Sequence, residues 1–208
     1  MPDIRTDSGQ TLDDTRVAGV VLAAGMATRM GGSKVVREVG GRPMVRRVVE
    51  ACLSSRLSNT LVVLGHDAVN VEASLRGLSV RVLMNHRYRQ GLSTSVNTAL
   101  GIIGPECRAA LFLHADQPFV TAALIDRILE VFSVSRRPIV RPLVEGRPGN
   151  PVLFAAELFP ELREETGDRG GRDVIRRHIE DVALVKVDDP LLCLDIDSPD
   201  DYERVRRL

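Results

Sequence analysis

The stretch LAAGMATRMGGSK, residues 22–34, places two cations, Arg29 and Lys34, in a glycine-rich run directly after an apolar segment. Leu22, Ala23, Ala24 and Gly25 open it. The alanines and the glycine are small enough for backbone N–H groups to approach an oxyanion closely. Arginine can meet phosphate with a fork of donors and lysine with a point charge. The loop is not a Walker A sequence, because Ser33 precedes Lys34 instead of following it, and it lacks the G-x-G-x-x-G dinucleotide pattern. The alternative is an exposed loop with two solvated cations.

A second kind of chemistry needs carboxylates. In LFLHADQPFV, Asp116 follows the apolar run Leu111–Leu113, and Pro118 then breaks the extended chain. A carboxylate at a strand end can hold Mg²⁺, which takes oxygen ligands and shares them with water and substrate phosphates. It can also simply cap a turn. His114, alone beside an apolar strand, reads as structural. In LCLDIDSPDDYERV, Asp195 and Asp197 alternate with apolar residues, which in a strand puts both on one face. They offer a second metal-ligand position. Ser198 caps the helix that follows, and Asp200 and Asp201 sit in its first turn, where the dipole favours acid.

Two further stretches carry polar groups where anions bind. GLSTS places Ser93, Thr94 and Ser95 at a helix start, able to cap the helix or to read a base edge or phosphate. Arg147 and Asn150 precede a short strand, and Asp168, Arg169 and Arg172 lie among Gly167, Gly170 and Gly171. Glycine-flanked charges before a helix suggest a second anion site, or an exposed loop with Asp168 as a cap.

The elements that must position these residues alternate. Strands are expected over Val17–Ala23, Thr60–Leu64, Val80–Met84, Ala109–His114, Pro138–Leu143, Pro151–Phe154, Val182–Val187 and Leu192–Ile196. Helices are expected over Pro43–Leu53 with Pro43 in the first turn, over Gly91–Ile103, from Thr121 as cap to Phe132, on either side of TGDRGGR, and after Ser198. That order predicts an α/β fold, a mostly parallel sheet with helices on both faces. Ligands of such sheets bind beyond the carboxyl ends of the strands, where the singled-out residues fall.

Composition narrows the class. With 28 basic and 28 acidic residues the formal charge is zero, which argues against nucleic-acid binding through general charge. No apolar run is long enough to span a bilayer, so no membrane partner is expected. Residues 1–16 are polar and read as a flexible extension rather than a secretory signal, leaving a single domain over 17–208. Cys52, Cys107 and Cys193 are far apart in apolar surroundings and read as buried thiols, consistent with a cytoplasmic protein.

Taken in order, LAAGMATRMGGSK, HADQP, GNPVLF, GDRGGR and DIDSPDDY resemble five segments of the molybdopterin nucleotidyltransferases, and most closely their molybdenum cofactor cytidylyltransferase branch. The resemblance runs from about Val17 to the C-terminus, with Ala27, Ala115 and Asn150 where that family has Ser, Gly and His. It implies a Rossmann-like nucleotidyltransferase fold. The implied reaction moves a nucleotidyl group from a nucleoside triphosphate to the phosphate of a molybdopterin-type acceptor, releasing pyrophosphate. It implies that Leu22–Gly25, Arg29 and Lys34 hold the triphosphate and that Arg29, Lys34 and Asp116 serve catalysis. Asp116 and Asp197, with Asp195 behind, would coordinate Mg²⁺, and Ser93 and Ser95 would lie at the base or ribose. Arg147, Asn150, Asp168 and Arg172 would face the acceptor. The opening LAAG, where guanylyl-transferring relatives have LAGG, favours CTP over GTP. A molybdoenzyme client is an implied partner. Alternatives on the same fold are transfer to a sugar-phosphate or isoprenoid acceptor, a nucleotide-dependent oxidoreductase, and a non-catalytic cofactor chaperone.

Overall fold

A computed structural model of the chain describes residues 16–26 and 34–208. Arg29 and the extension over residues 1–15 lie outside the described residues. In chain order the main elements are β1 (Val17–Ala23), β2 (Glu38–Val39), β3 (Arg42–Pro43), α1 (Met44–Leu53), β4 (Asn59–Leu64), α2 (Ala68–Ser74), β5 (Arg81–Met84) and α3 (Leu92–Leu100). Then follow β6 (Ala109–His114), α4 (Ala122–Ser135), β7 (Ile139–Val144), β8 (Arg147–Pro148), β9 (Val152–Ala155), α5 (Phe159–Glu164), α6 (Arg172–Arg177), β10 (Val182–Val187) and α7 (Pro199–Val205).

The main sheet runs β10-β7-β9-β6-β1-β4-β5, with β8 paired onto β7. β1 pairs in parallel with both β4 and β6, β4 with β5, and β7 with β10. β9 is antiparallel to its neighbours β6 and β7. The fold is therefore α/β with a mostly parallel sheet. The chain steps outward from β1 to β4 and β5, then returns to place β6 on the other side of β1. The gap between β1 and β6 is thus the topological switch point, where open α/β sheets bind ligands.

Helices cover both faces. Val17, Val21 and Ala23 of β1 pack with Val45, Val48 and Val49 of α1 and Ile125 and Ile128 of α4. Val20 and Leu22, pointing the other way, pack with Val96, Ala99 and Leu100 of α3 and Phe159 and Leu162 of α5. All seven residues of β1 are buried, as a strand sandwiched between helix layers requires. Truncating Ile125 or Ile128 to alanine should cost about 2–5 kcal/mol. A third cluster, Val39, Met44, Ile196 and Val205, fastens the C-terminal segment beside the carboxyl end of the sheet.

Two expectations are corrected. Leu192–Ile196 is not a strand. Pro190–Cys193 forms a 3₁₀ turn, opened by a proline that lacks the ladder donor and capped by Asp189 accepting the Leu191 N–H at 3.0 Å. Residues 194–196 then cross the strand ends, and the Ile196 N–H donates to the Asp116 carbonyl at 3.1 Å instead of to a neighbouring strand. Pro43 is not in the first turn of α1: it pairs with Glu38 across the β2–β3 ribbon, and the helix begins at Met44. Thr121 does cap α4, accepting the Leu124 N–H at 3.3 Å, and Ser198 and Asp201 close a reciprocal capping box on α7. No helix among the described residues is long and apolar enough to cross a membrane. Cys52 and Cys107 are buried and Cys193 half-buried, all as free thiols, and burial pushes Cys52 up to about 12.

Candidate functional site

The carboxyl ends of β1 and β6 open into a cleft of about 270 Å³. One side is made by Leu22, Ala23, Ala24 and Gly25 leaving β1, and by His114 and Asp116 leaving β6. Leu22 and His114 are direct neighbours in the parallel register, so the two strand ends deliver their loops side by side. A Cβ on Gly25 would meet nothing within 4 Å, so this glycine leaves space in the cleft instead of relieving a clash. A larger depression of about 710 Å³, around Leu53, Leu57, Ser79 and Ile102, lies at the amino ends of the strands, the end an open α/β sheet does not use.

The structure brings three of the expected site residues into contact. Lys34, in a 3₁₀ turn, is 8% exposed, and its Nζ lies 2.7 Å from Asp116 Oδ2 and 2.8 Å from Asp197 Oδ1. Burial by itself would lower the lysine pKa. The charges and hydrogen bonds of Asp116 and Asp197 outweigh it, and the net shift is upward, so the ammonium stays protonated. The other oxygen of Asp116, Oδ1, is buried without a hydrogen-bond partner among the described residues. Asp197 is held by its neighbour Ile196, which is fully buried in the third cluster, while its own side chain remains 57% exposed.

Asp195 is exposed on one side but crowded on the other. Desolvation there, reinforced by the charges of Asp116 and Asp197, pushes its carboxyl up to about 7, against a smaller pull from Lys34 and the Gln117 side chain. Gln117 is buried and donates to the Cys193 carbonyl at 3.1 Å, which ties the segment before Asp195 to the loop after β6. His114 is driven down by burial, partly opposed by Asp116, so a neutral imidazole faces the cleft. Arg172, an exposed residue at the start of α6, is close enough for its charge to act on His114.

The opposite side of the cleft comes from the turn between β5 and α3, from α3 itself and from the loop 165–171. Ser95 lines the cleft, together with Gly91, Leu92, Tyr88, Arg89 and Asp168. Ser93 is buried outside that lining, and its N–H donates to the Gly167 carbonyl at 3.0 Å. The Leu92 N–H donates to Asp168 Oδ1 at 3.2 Å, so Asp168 caps α3, which is 76 residues away, and not the adjacent α6. Glu165 performs that second task, accepting the Val174 N–H at 2.9 Å and also the Gly171 N–H. Two chain segments approach so closely here that a Cβ on Gly91, whose φ is +107°, would come within 2.3 Å of the Gly167 carbonyl carbon. Arg147 is exposed on β8 and Asn150 precedes β9, both at the carboxyl end of the sheet but outside the cleft lining.

Asn85, Tyr88, Arg89 and Glu165 were not picked out from the sequence. The run NHRYRQG between β5 and α3, with two arginines before a glycine, was the available signal for the second and third of these.

Residues 19–182 match the family described as the MobA-like NTP transferase domain. The chain belongs to that family. It is 37% identical over 153 residues to the bifunctional protein GlmU of Agrobacterium fabrum, a match covering 70% of this chain and 33% of GlmU. The chain thus spans about one third of the length of that relative. It is 25% identical over 184 residues to the molybdenum cofactor cytidylyltransferase of Escherichia coli, covering 88% of this chain and 92% of the relative. Among solved structures, Rv0371c of Mycobacterium tuberculosis superposes with a TM-score of 0.84 at 26% identity, covering 93% of this chain and 98% of that one. A second structure of Rv0371c is a complex with manganese, with a TM-score of 0.79 at 26% identity and coverage of 92% and 98%.

Proposed function

We propose that this protein transfers a nucleotidyl group from CTP to the phosphate of a molybdopterin-type acceptor, with Mg²⁺, releasing pyrophosphate. The observation that carries this reading is the contact of Lys34 with Asp116 and Asp197 at the β1–β6 switch point. A buried cation and two carboxylates at that place are the groups a metal-assisted phosphoryl reaction needs. Membership of the MobA-like family and similarity to the Escherichia coli cytidylyltransferase over most of both chains support it.

The residues fit a divalent cation. Asp116 Oδ1 is buried without a partner among the described residues, and the donors are hard carboxylate oxygens of the kind Mg²⁺ and Mn²⁺ prefer. Among the described residues no group of three His, Cys, Asp or Glu side chains forms a closed cage. Two carboxylates completed by water and substrate phosphates suit Mg²⁺, which keeps several waters and rarely takes an all-protein cage. When bound, the metal would neutralise phosphate oxygens and align them.

The chain's own groups would do the rest. The acceptor phosphate oxygen attacks the α-phosphorus, a new P–O bond forms, and the bond to the bridging oxygen breaks with its electrons leaving on pyrophosphate. Both reactants are anions, so charge must be supplied and the partners aligned. Lys34, kept protonated by its acids, would turn part of its charge to the leaving pyrophosphate while the backbone from Ala23 to Gly25 cradles the phosphates. Arg29, from the same loop, would add a second cation. No general base is required, since the acceptor phosphate is already ionised at neutral pH. The neutral imidazole of His114 is therefore a cleft-lining group here and not a proton acceptor. Arg147, Asn150 and Arg172 would meet the acceptor at the outer side, with Asp168 holding the loop between the two substrates.

Pyrophosphate release with Mg²⁺ and each of CTP, GTP, UTP and ATP, with and without molybdenum cofactor, tests the reading. Release confined to CTP plus cofactor is the expected result. Release with CTP and a sugar phosphate would keep the nucleotide and replace the acceptor. Absence of release and of binding with every triphosphate would overturn it.

A further inference from the structure

Asn85 follows β5 and is 2% exposed. Its backbone N–H donates to the Leu64 carbonyl at 2.8 Å, continuing the ladder beyond the strand. Its side chain is held on three sides. Oδ1 accepts the Arg87 N–H at 2.9 Å, while Nδ2 reaches Thr94 Oγ1 and Ser95 Oγ, each at 2.9 Å. A backbone N–H can only donate, so the amide atom it meets must be the oxygen, and the orientation of the group is fixed. Both amide protons are then given to hydroxyls.

Each hydroxyl has one proton of its own to place. Thr94 sends its proton to the Gly91 carbonyl at 2.8 Å or the Arg87 carbonyl at 3.1 Å. Ser95 has no such outlet. A helical serine usually returns its proton to the carbonyl four residues back. Here that carbonyl, Gly91, already receives the N–H and the hydroxyl of Thr94. Among the described residues no acceptor takes the Ser95 proton, and Ser95 lines the cleft. A buried hydroxyl proton without an acceptor is costly, so the occupant of the cleft must supply one.

We infer that Asn85 is a positioning residue that fixes Ser95 as a hydrogen-bond donor, so that this wall selects a ligand edge bearing a carbonyl acceptor, as the O2 edge of a pyrimidine offers, over an edge bearing an amino group. The inference rests on the reading of the cleft as a nucleotide site. It adds the polarity of the base-side wall and the residue that sets it.

The test is a double-mutant cycle read by calorimetric CTP binding in Mg²⁺, with pyrophosphate-release kinetics alongside. Asn85→Asp has the same shape, but its second oxygen accepts the Ser95 proton and turns the serine lone pairs toward the ligand. Asn85→Asp should weaken CTP about 10-fold or more, and Ser95→Ala about 10-fold, the value of one hydrogen bond. In the Ser95→Ala background the Asn85→Asp change should cost less than about twofold. The loss should appear in KM with kcat nearly unchanged, because a base edge is held equally before and during the reaction. Equal losses in both backgrounds would make Asn85 a structural residue and overturn the inference. If Asn85→Asp does not fold, 2-thio-CTP decides, since its sulfur accepts poorly. Wild type should bind it several-fold more weakly than CTP and Ser95→Ala should not distinguish the two. Equal binding of both by wild type would overturn the inference while leaving the nucleotide site standing. Failure of wild type to bind any triphosphate would remove both.

Discussion

The two sides of the cleft are built on opposite principles. On the β1–β6 side, charges converge on one ammonium: Lys34 serves Asp116 and Asp197 at once, one Asp116 oxygen has no partner among the described residues, and Asp197 stays more than half exposed. On the α3 side there are buried neutral groups, Asn85, Ser93, Thr94 and Ser95, whose hydrogen bonds, the Ser95 hydroxyl proton excepted, close on one another and on the segments around them. The first arrangement can exchange partners, because a triphosphate and a cation can replace the ion pairs charge for charge. The second cannot be rearranged without stranding a buried polar group. Charge is thus handled by an adaptable wall and shape by a rigid one.

The largest expected effect breaks the adaptable wall. Asp116→Asn should lower the rate of pyrophosphate release on the order of 10²–10³-fold, as loss of one preorganised electrostatic group does. Steady-state kinetics checks it, with thermal melting to show that the fold persists. Next, Gly91→Ala should damage the rigid wall from a distance. Its positive φ and the 2.3 Å approach to Gly167 force α3 and the loop apart, at a cost of about 1–3 kcal/mol or more in a denaturant titration. Nucleotide affinity should fall with it, while divalent-ion affinity stays near wild type. That split would show the two walls to be separable.

Lys34→Ala sharpens the contrast in the other direction. It should weaken triphosphate binding about 10-fold. It should also raise Mn²⁺ affinity in the absence of nucleotide, since the ammonium that competes for the two carboxylates is gone. Titration of Mn²⁺ followed by electron paramagnetic resonance reads both effects. A smaller effect concerns Asp195. Its folded pKa, about 7, lies above its ordinary value of 3.8, so between these pH values the folded state holds a proton that the unfolded state has lost. Stability should therefore fall as pH rises from about 4 to about 7 and level off above. Asp195→Asn should flatten that slope in melting curves of the metal-free protein. The smallest change is Ser198→Ala, which removes the α7 capping box for about 1 kcal/mol by denaturant titration.

The adaptable wall was legible in the sequence and the rigid one largely was not, for a physical reason. β1 and β6 are continuous apolar runs, so Val17–Ala23 and Ala109–His114 coincide with the expected bounds, and a charged residue just beyond a parallel strand falls where ligands bind. That rule picks out Asp116, and Lys34 was found as a cation in the glycine-rich run that follows β1. Asp197 was found on a mistaken basis: the apolar–acid alternation in LCLDID reads as a strand, whereas Pro190 and the Asp189 cap make a turn, and it is the burial of Ile196 that brings Asp197 to Lys34. Asn85 is one polar residue in a loop of polar residues, and its role exists only through contacts with Thr94 and Ser95. Asp168 was read as facing the acceptor, with a cap as the alternative, and the helix it does cap was hidden by a separation of 76 residues.

Whether one wall holds both metal and triphosphate is decided by Mn²⁺ binding, followed by electron paramagnetic resonance with and without CTP, on wild type and Asp116→Asn. If the Lys34–Asp116–Asp197 wall takes the metal and the triphosphate together, CTP should tighten Mn²⁺ binding to wild type at least 10-fold beyond the affinity of CTP itself for Mn²⁺. That gain should vanish in Asp116→Asn. An undiminished gain in Asp116→Asn would contradict the account.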